Sequence, residues 1–137
     1  MYNYIAVAID GSDNALRATQ EAIRLASASA TIELIYVVDV DNVRQEMLHA
    51  TSPDALMLAR KQKLAPYEEL VQQAHRNVKI TMLKGSPGPS IVDYVNTHPV
   101  DIIVIGSRGL NAFQQMVLGS VSHKVMKRAM CPVLVVK

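Results

Sequence analysis

The chain has a single cysteine, Cys131, among its 137 residues. One thiol cannot build an internal disulfide framework, so packing must hold the fold and a reducing compartment is expected. Charge is also scarce: 19% of residues are charged and the formal net charge is +2. That excess is too small for a general nucleic-acid binder. No apolar run approaches the roughly 20 residues needed to span a bilayer. The opening MYNYIAVAID lacks a basic segment, and its apolar run is too short for a signal peptide. There is no internal repeat and no linker, and no GxxxxGK(S/T) that would mark a P-loop nucleotide site. His49, His75 and His98 are scattered without metal-ligand spacing. These absences leave one cytoplasmic domain over residues 1–137, with neither membrane nor nucleic acid as a partner.

What is present is a hydrophobic half of the chain, cut into short pieces. Tyr4 to Ile9, Thr31 to Val38, Val78 to Leu83, Ile102 to Ile105 and Val133 to Val136 carry the β-branched and alternating patterns of strands. Between them lie helical patterns. The first has Ser12 or Asp13 as its cap, runs to about Ala28, and carries Ala15, Thr19, Ala22, Ile23 and Ala26 on its inner stripe. The second opens on Ser52-Pro53-Asp54 and must be kinked or split near Pro66. A third spans Ser90 to Asn96 and stops before Pro99. The fourth follows Gly119-Ser120, with Val121, Val125 and Ala129 facing inward. Residues 41–52 are expected to form a surface insertion. Strands alternating with helices predict an α/β fold: a doubly wound, five-stranded parallel sheet flanked by helices.

In such a sheet, ligands bind beyond the carboxyl ends of the strands, where the winding reverses. Asp10, Val37 to Asp39, and Gly106 to Gly109 all fall at strand ends. Gly106 and Gly109 allow close backbone approach, and Ser120 and Ser122 add hydroxyls where a helix dipole favours anions. A plainer account is available for each: Gly106 ends a strand, Gly119-Ser120 starts a helix, Asp10 holds a turn and Arg108 is a solvated loop charge. GSPGPS at 85–90 reads as a turn plus helix cap, since its prolines remove donors. His123 reads as a surface histidine, Cys131 as a small packed residue, and the methionines as packing.

Gly106-x-x-Gly109, nine residues, then Gly119-Ser120 resembles the G-2x-G-9x-G-(S/T) signature of ATP-binding universal stress proteins. The similarity extends along the whole chain, through Asp10, YVVD, Gly85-x-Pro87-x-x-x-Ile91, DIIVIGSRG and CPVLVV. It implies the Rossmann-like fold of the adenine nucleotide alpha hydrolase type. By the same resemblance, Ala8, Ile9 and Asp10 contact ribose and adenine, and the backbone of Val37 reads the adenine edge. Ile105, Gly106, Arg108 and Gly109 line the ribose and phosphate side, and Gly119, Ser120, Val121 and Ser122 close over the phosphates. ATP is the implied cofactor, with Mg2+ or Mn2+ held through its phosphates and not by protein ligands. The resemblance further implies a homodimer through Val133–Val136, whose strand would otherwise leave an uncovered edge. The expected function is a regulatory or signalling module in stress response, acting on an unidentified protein partner. The alternative is a slow ATPase or nucleotide hydrolase of the same fold, against which no base stands out in the phosphate segment. The residues between Gly109 and Gly119, with Phe113 and Met116, are expected to form a pliable or partner-facing loop.

Overall fold

The computed structural model describes residues 1–38, 44, 47, 48, 52–108 and 118–137. Along them run β1 (Tyr2–Ile9), α1 (Asp13–Leu25), β2 (Ala26–Val38), α2 (Pro53–Gln73), β3 (Asn77–Lys84), α3 (Pro87–Thr97), β4 (Ile102–Gly106), α4 (Ser120–Arg128) and β5 (Val133–Val136). The strands form one sheet in the order β3-β2-β1-β4-β5, and every pairing is parallel. The expected α/β architecture is the one observed. The chain lays β2 and β3 on one side of β1, then crosses to lay β4 and β5 on the other. The winding therefore reverses between β1 and β4.

Alternation along the strands makes two cores. Ile5, Val7, Ile9, Ile32, Leu34 and Tyr36 pack under α1 and α2, against Ala18, Ala22, Leu64, Tyr67 and Val71. Ala6, Ala8, Ile35, Val37, Ile103 and Ile105 pack on the other face against Ile91, Val95 and Val125 of α3 and α4. Full burial of each large aliphatic side chain contributes about 1.5–3 kcal/mol. Small residues on α1 let it lie close to the sheet, and the buried Thr19 hydroxyl is satisfied by the Ala15 carbonyl at 2.8 Å.

Several boundaries differ from the sequence expectation. α1 ends at Leu25 and not near Ala28, because Ala26 is already extended (φ −76°, ψ 136°). The ASASA run that follows joins β2: Ala26 pairs with Tyr2, Ala26 and Ala30 are buried, and the Ser27 hydroxyl donates to Asn3 Oδ1 at 2.6 Å. Five small residues have no periodicity of their own, so sheet pairing decides. α3 begins at Pro87 and not at Ser90, since a proline at the first helical position needs no donor. α2 starts at Ser52-Pro53 as read, with Ser52 Oγ accepting from Ala55 N at 3.1 Å. Pro66 does not split it; the helix is continuous, anchored by Leu64, Tyr67 and Val71 around the proline.

One charge lies inside the sheet. Glu33 is 1% exposed and accepts hydrogen bonds from the Tyr4, Thr81 and Tyr94 hydroxyls, with Lys79 Nζ 4.0 Å away. Burial alone would push its carboxyl up; the three hydroxyls and the ammonium more than offset this and hold it below the usual glutamate range.

Candidate functional site

The switch point puts two chain exits side by side. At the first, β1 ends and Asp10 Oδ1 accepts from Ser12 N at 2.9 Å, closing a turn around Gly11. Gly11 has φ +91°, a backbone conformation that favours glycine. Ser12, and not Asp13, caps α1: its Oγ accepts from Ala15 N at 3.1 Å. Its carbonyl accepts from the Tyr67 hydroxyl at 2.9 Å. Burial, reinforced by the Asp10 charge, holds that hydroxyl well above the usual tyrosine range, so it stays a donor. Lys63 Nζ donates to the Tyr36 hydroxyl at 3.1 Å and stands 5.1 Å from its ring centre. α2 thus braces the turn that carries Asp10.

The second exit is that of β4. Ser107 N donates to Val136 O at 2.7 Å, extending the pairing with β5. The Ser107 carbonyl then accepts from Gly119 N at 2.7 Å, and Ser122 Oγ lies 3.0 Å from both the Ser107 and Gly119 carbonyls. The end of β4 and the start of α4 are therefore sewn together by backbone atoms and the Ser122 hydroxyl. Gly119 has φ −63° and ψ 156°, a conformation open to any residue. The room for a side chain is tight, because a Cβ would stand 3.2 Å from Ser107 O. The cap residue of α4 is Gly119, which has no side chain to accept from the first-turn N–H groups at the rim. An anion is suited to that position.

Each expected site residue has a definite place. Ala8, Val37 and Ile105 lie in the core facing α3 and α4, with Val121 packed against them. Ile9 belongs to the opposite core, beneath α1 and α2, so its side chain faces away from that group. Ile9 pairs with Tyr36, which makes Asp10 and Val37 neighbours one residue further on, at the rim. Asp10 and Arg108 are partly exposed, Ser120 is exposed and Ser122 is buried. Gly106 is buried, and a Cβ on it would meet Asn14 Cβ at 2.9 Å. Its missing side chain makes room for α1. Gly109, Asp39, Phe113 and Met116 lie outside the described residues, as does most of 41–52 and 110–118. His123 is exposed, and burial pushes the half-buried Cys131 thiol up.

Sequence reasoning missed Asn14, which donates to the Arg108 carbonyl at 3.1 Å, and Ser107, whose carbonyl joins the two signature segments. Asn14 left a trace: it lies in helical register with the buried Ala18 and Ala22. Ser107 left none, because its role is played by its backbone. Among the described residues, no cluster of three His, Cys, Asp or Glu could hold a metal ion, and no helix is long and apolar enough to cross a membrane.

With this geometry in hand, comparison with known proteins is informative. The model of the universal stress protein family matches residues 1–137. The universal stress protein MJ0531 of Methanocaldococcus jannaschii is 33% identical, covering 100% of this chain and 83% of its own. The solved structure of the hypothetical protein MJ0577 superposes with a TM-score of 0.85 at 28% identity, covering 100% of this chain and 96% of that one. At 24% identity and a TM-score of 0.71, the fold is shared by a universal stress protein in complex with cAMP, over 99% of this chain and 97% of that one. It is shared too by an Arabidopsis thaliana member with AMP bound, at 22% identity and a TM-score of 0.69, over 98% and 91%. The chain belongs to the universal stress protein family.

Proposed function

We propose that this protein binds ATP in the crevice between the ends of β1 and β4 and serves as a nucleotide-dependent regulatory module. The observation that carries this reading is the join of Ser107, Gly119 and Ser122 at the topological switch point, beside an α4 N-terminus whose cap residue is a glycine. Backbone N–H groups, the exposed Ser120 hydroxyl and the helix dipole suit the phosphates there, with Gly106 and Arg108 on the facing side. The Asp10 carboxylate, fixed by its turn, suits the ribose hydroxyls, and the rim beside Ala8, Ile9 and Val37 suits the adenine. Two proteins of this fold carry adenine nucleotides, cAMP in one and AMP in the other, which agrees with an adenine site. Mg2+ or Mn2+ would be held through the phosphates.

The same reading includes a homodimer. β5 lies at the end of the strand order, and all four of its residues are partly exposed. Pairing it with a second copy would remove that edge. Light scattering after size exclusion should give the dimer mass at micromolar concentration, and a monomer there would refute this part.

The nucleotide itself is tested by denaturing the purified protein, identifying what is released by mass spectrometry, then titrating the emptied protein with ATP, ADP, AMP and cyclic AMP. Saturable ATP binding supports the proposal, and no binding at millimolar ATP with magnesium rejects it. Single-turnover hydrolysis then separates a regulator from a slow ATPase.

A further inference from the structure

Asn14 sits in the first turn of α1, only 7% exposed, on a buried face otherwise made of alanines and Thr19. Helix propensity gives no reason for asparagine there, and a buried amide is costly unless it is bonded. Its Nδ2 donates to the carbonyl of Arg108 at 3.1 Å, across 94 positions of sequence. Its Cβ, backbone carbon and carbonyl oxygen also stand 2.9, 3.1 and 3.2 Å from the place where a Gly106 Cβ would be. One residue therefore fills the space beside Gly106 and grips the backbone two residues later. The helix that carries it is fixed at its start by Ser12, which is itself bonded to Asp10 and Tyr67.

We infer that Asn14 is a positioning residue: it locks the Gly106–Arg108 backbone to α1, so that the turn is set for phosphate before ligand arrives. It also connects the two halves of the crevice, since the start of α1 is hydrogen-bonded to Asp10 through Ser12 and to the Arg108 carbonyl through Asn14. The inference rests on the ATP-site reading above. Its consequence is selective. Loss of the Asn14 amide should weaken binding of phosphate-bearing ligands and leave the nucleoside part untouched.

The test uses wild type, Asn14→Ala and Asn14→Leu, the last keeping the branched shape while removing the donor. Calorimetric titration with ATP and with adenosine gives the affinities. Both variants should bind ATP roughly five- to tenfold more weakly, the worth of one hydrogen bond, with adenosine changed less than about twofold. In the ligand-free protein, NMR hydrogen exchange at the Ser107 and Gly119 amides should accelerate by a similar factor while the Ala18 and Ala22 amides stay unchanged. An equal loss for ATP and adenosine, or an ATP affinity unchanged in both variants, overturns the proposal. If wild type binds neither ligand, the ATP-site reading fails, and with it the ligand half of the inference. The exchange rates then judge the rest: unchanged Ser107 and Gly119 amides overturn the lock itself, and faster ones sustain it.

Discussion

Two helices begin at the same rim of the sheet, and they begin differently. α1 is closed by its own chain: Ser12 caps it, Asp10 bonds the Ser12 N–H, and Tyr67 reaches from α2 to the Ser12 carbonyl. α4 starts at a glycine and has no side-chain cap, although Ser122 in its first turn is buried. Ser122 turns its hydroxyl to the Ser107 and Gly119 carbonyls, thereby shaping the turn. The difference separates two uses of a helix start. One is closed with side chains and becomes a brace; the other is left to its backbone and is suited to an anion.

The strongest way to break this contrast is Gly119→Val. The backbone angles at Gly119 accept valine, but the side chain would crowd Ser107 O and the start of α4. ATP affinity should fall by more than about 100-fold, a loss of over about 2.7 kcal/mol. The far-UV CD spectrum should be unchanged. Normal binding in this variant would show that α4 does not face the phosphates.

Glu33→Gln is the control that lowers stability away from the rim. An amide cannot accept from all three hydroxyls as the carboxylate does, so chemical denaturation should show a loss of about 2 kcal/mol at pH 7. Nucleotide affinity of the folded protein should not move. The pH dependence has a defined sign. Because the folded carboxyl lies below its unfolded value, its stabilisation is complete above the unfolded value of about 4.3 and is lost as pH falls through the folded one. Wild-type stability should therefore drop on acidification below about pH 4 more steeply than that of Glu33→Gln, whose acid limb should be flatter. Parallel acid limbs would contradict the assignment.

Gly106→Ala is expected to act through α1. Its Cβ would press on Asn14 at 2.9 Å and on the Asn14 backbone at 3.1 Å, and overpacking of that kind costs about 1–2 kcal/mol. Thermal unfolding would register it without ligand. Ser12→Ala gives the smallest change, about 1 kcal/mol of stability for a lost cap, with ATP affinity altered less than about threefold. A larger loss of affinity than of stability in Ser12→Ala would place α1 among the ligand groups and erase the contrast.

Much of this is legible in the amino-acid sequence. Ile102-Ile103-Val104-Ile105 reads as a strand buried on both faces because nothing in it is polar, and all four are buried. Asp10, Val37 and Gly106 could be assigned to strand ends because each closes a run of strand residues, and a parallel sheet gathers those ends. ASASA could not be read, since its pairing with β1 is settled by register and not by local preference. The turn role of Asp10 and the Ser12 cap were visible as local chemistry. The Arg108 carbonyl that Asn14 holds was not, because a backbone atom leaves no mark in the sequence. Glu33 was not picked out in TIELIYVV, since its three hydroxyl partners come from β1, β3 and α3.

The most direct test of the claim that the rim between β1 and α4 is the nucleotide site is a titration of 15N-labelled, nucleotide-free protein with ATP and magnesium, followed by amide NMR shifts. Saturating changes should centre on Ser107, Gly119, Ser120, Val121 and Ser122, with a second group at Asp10, Gly11 and Val37, and little at Thr81 or Lys79 beside Glu33. Shifts confined to other surfaces, or none at millimolar ATP, would contradict it.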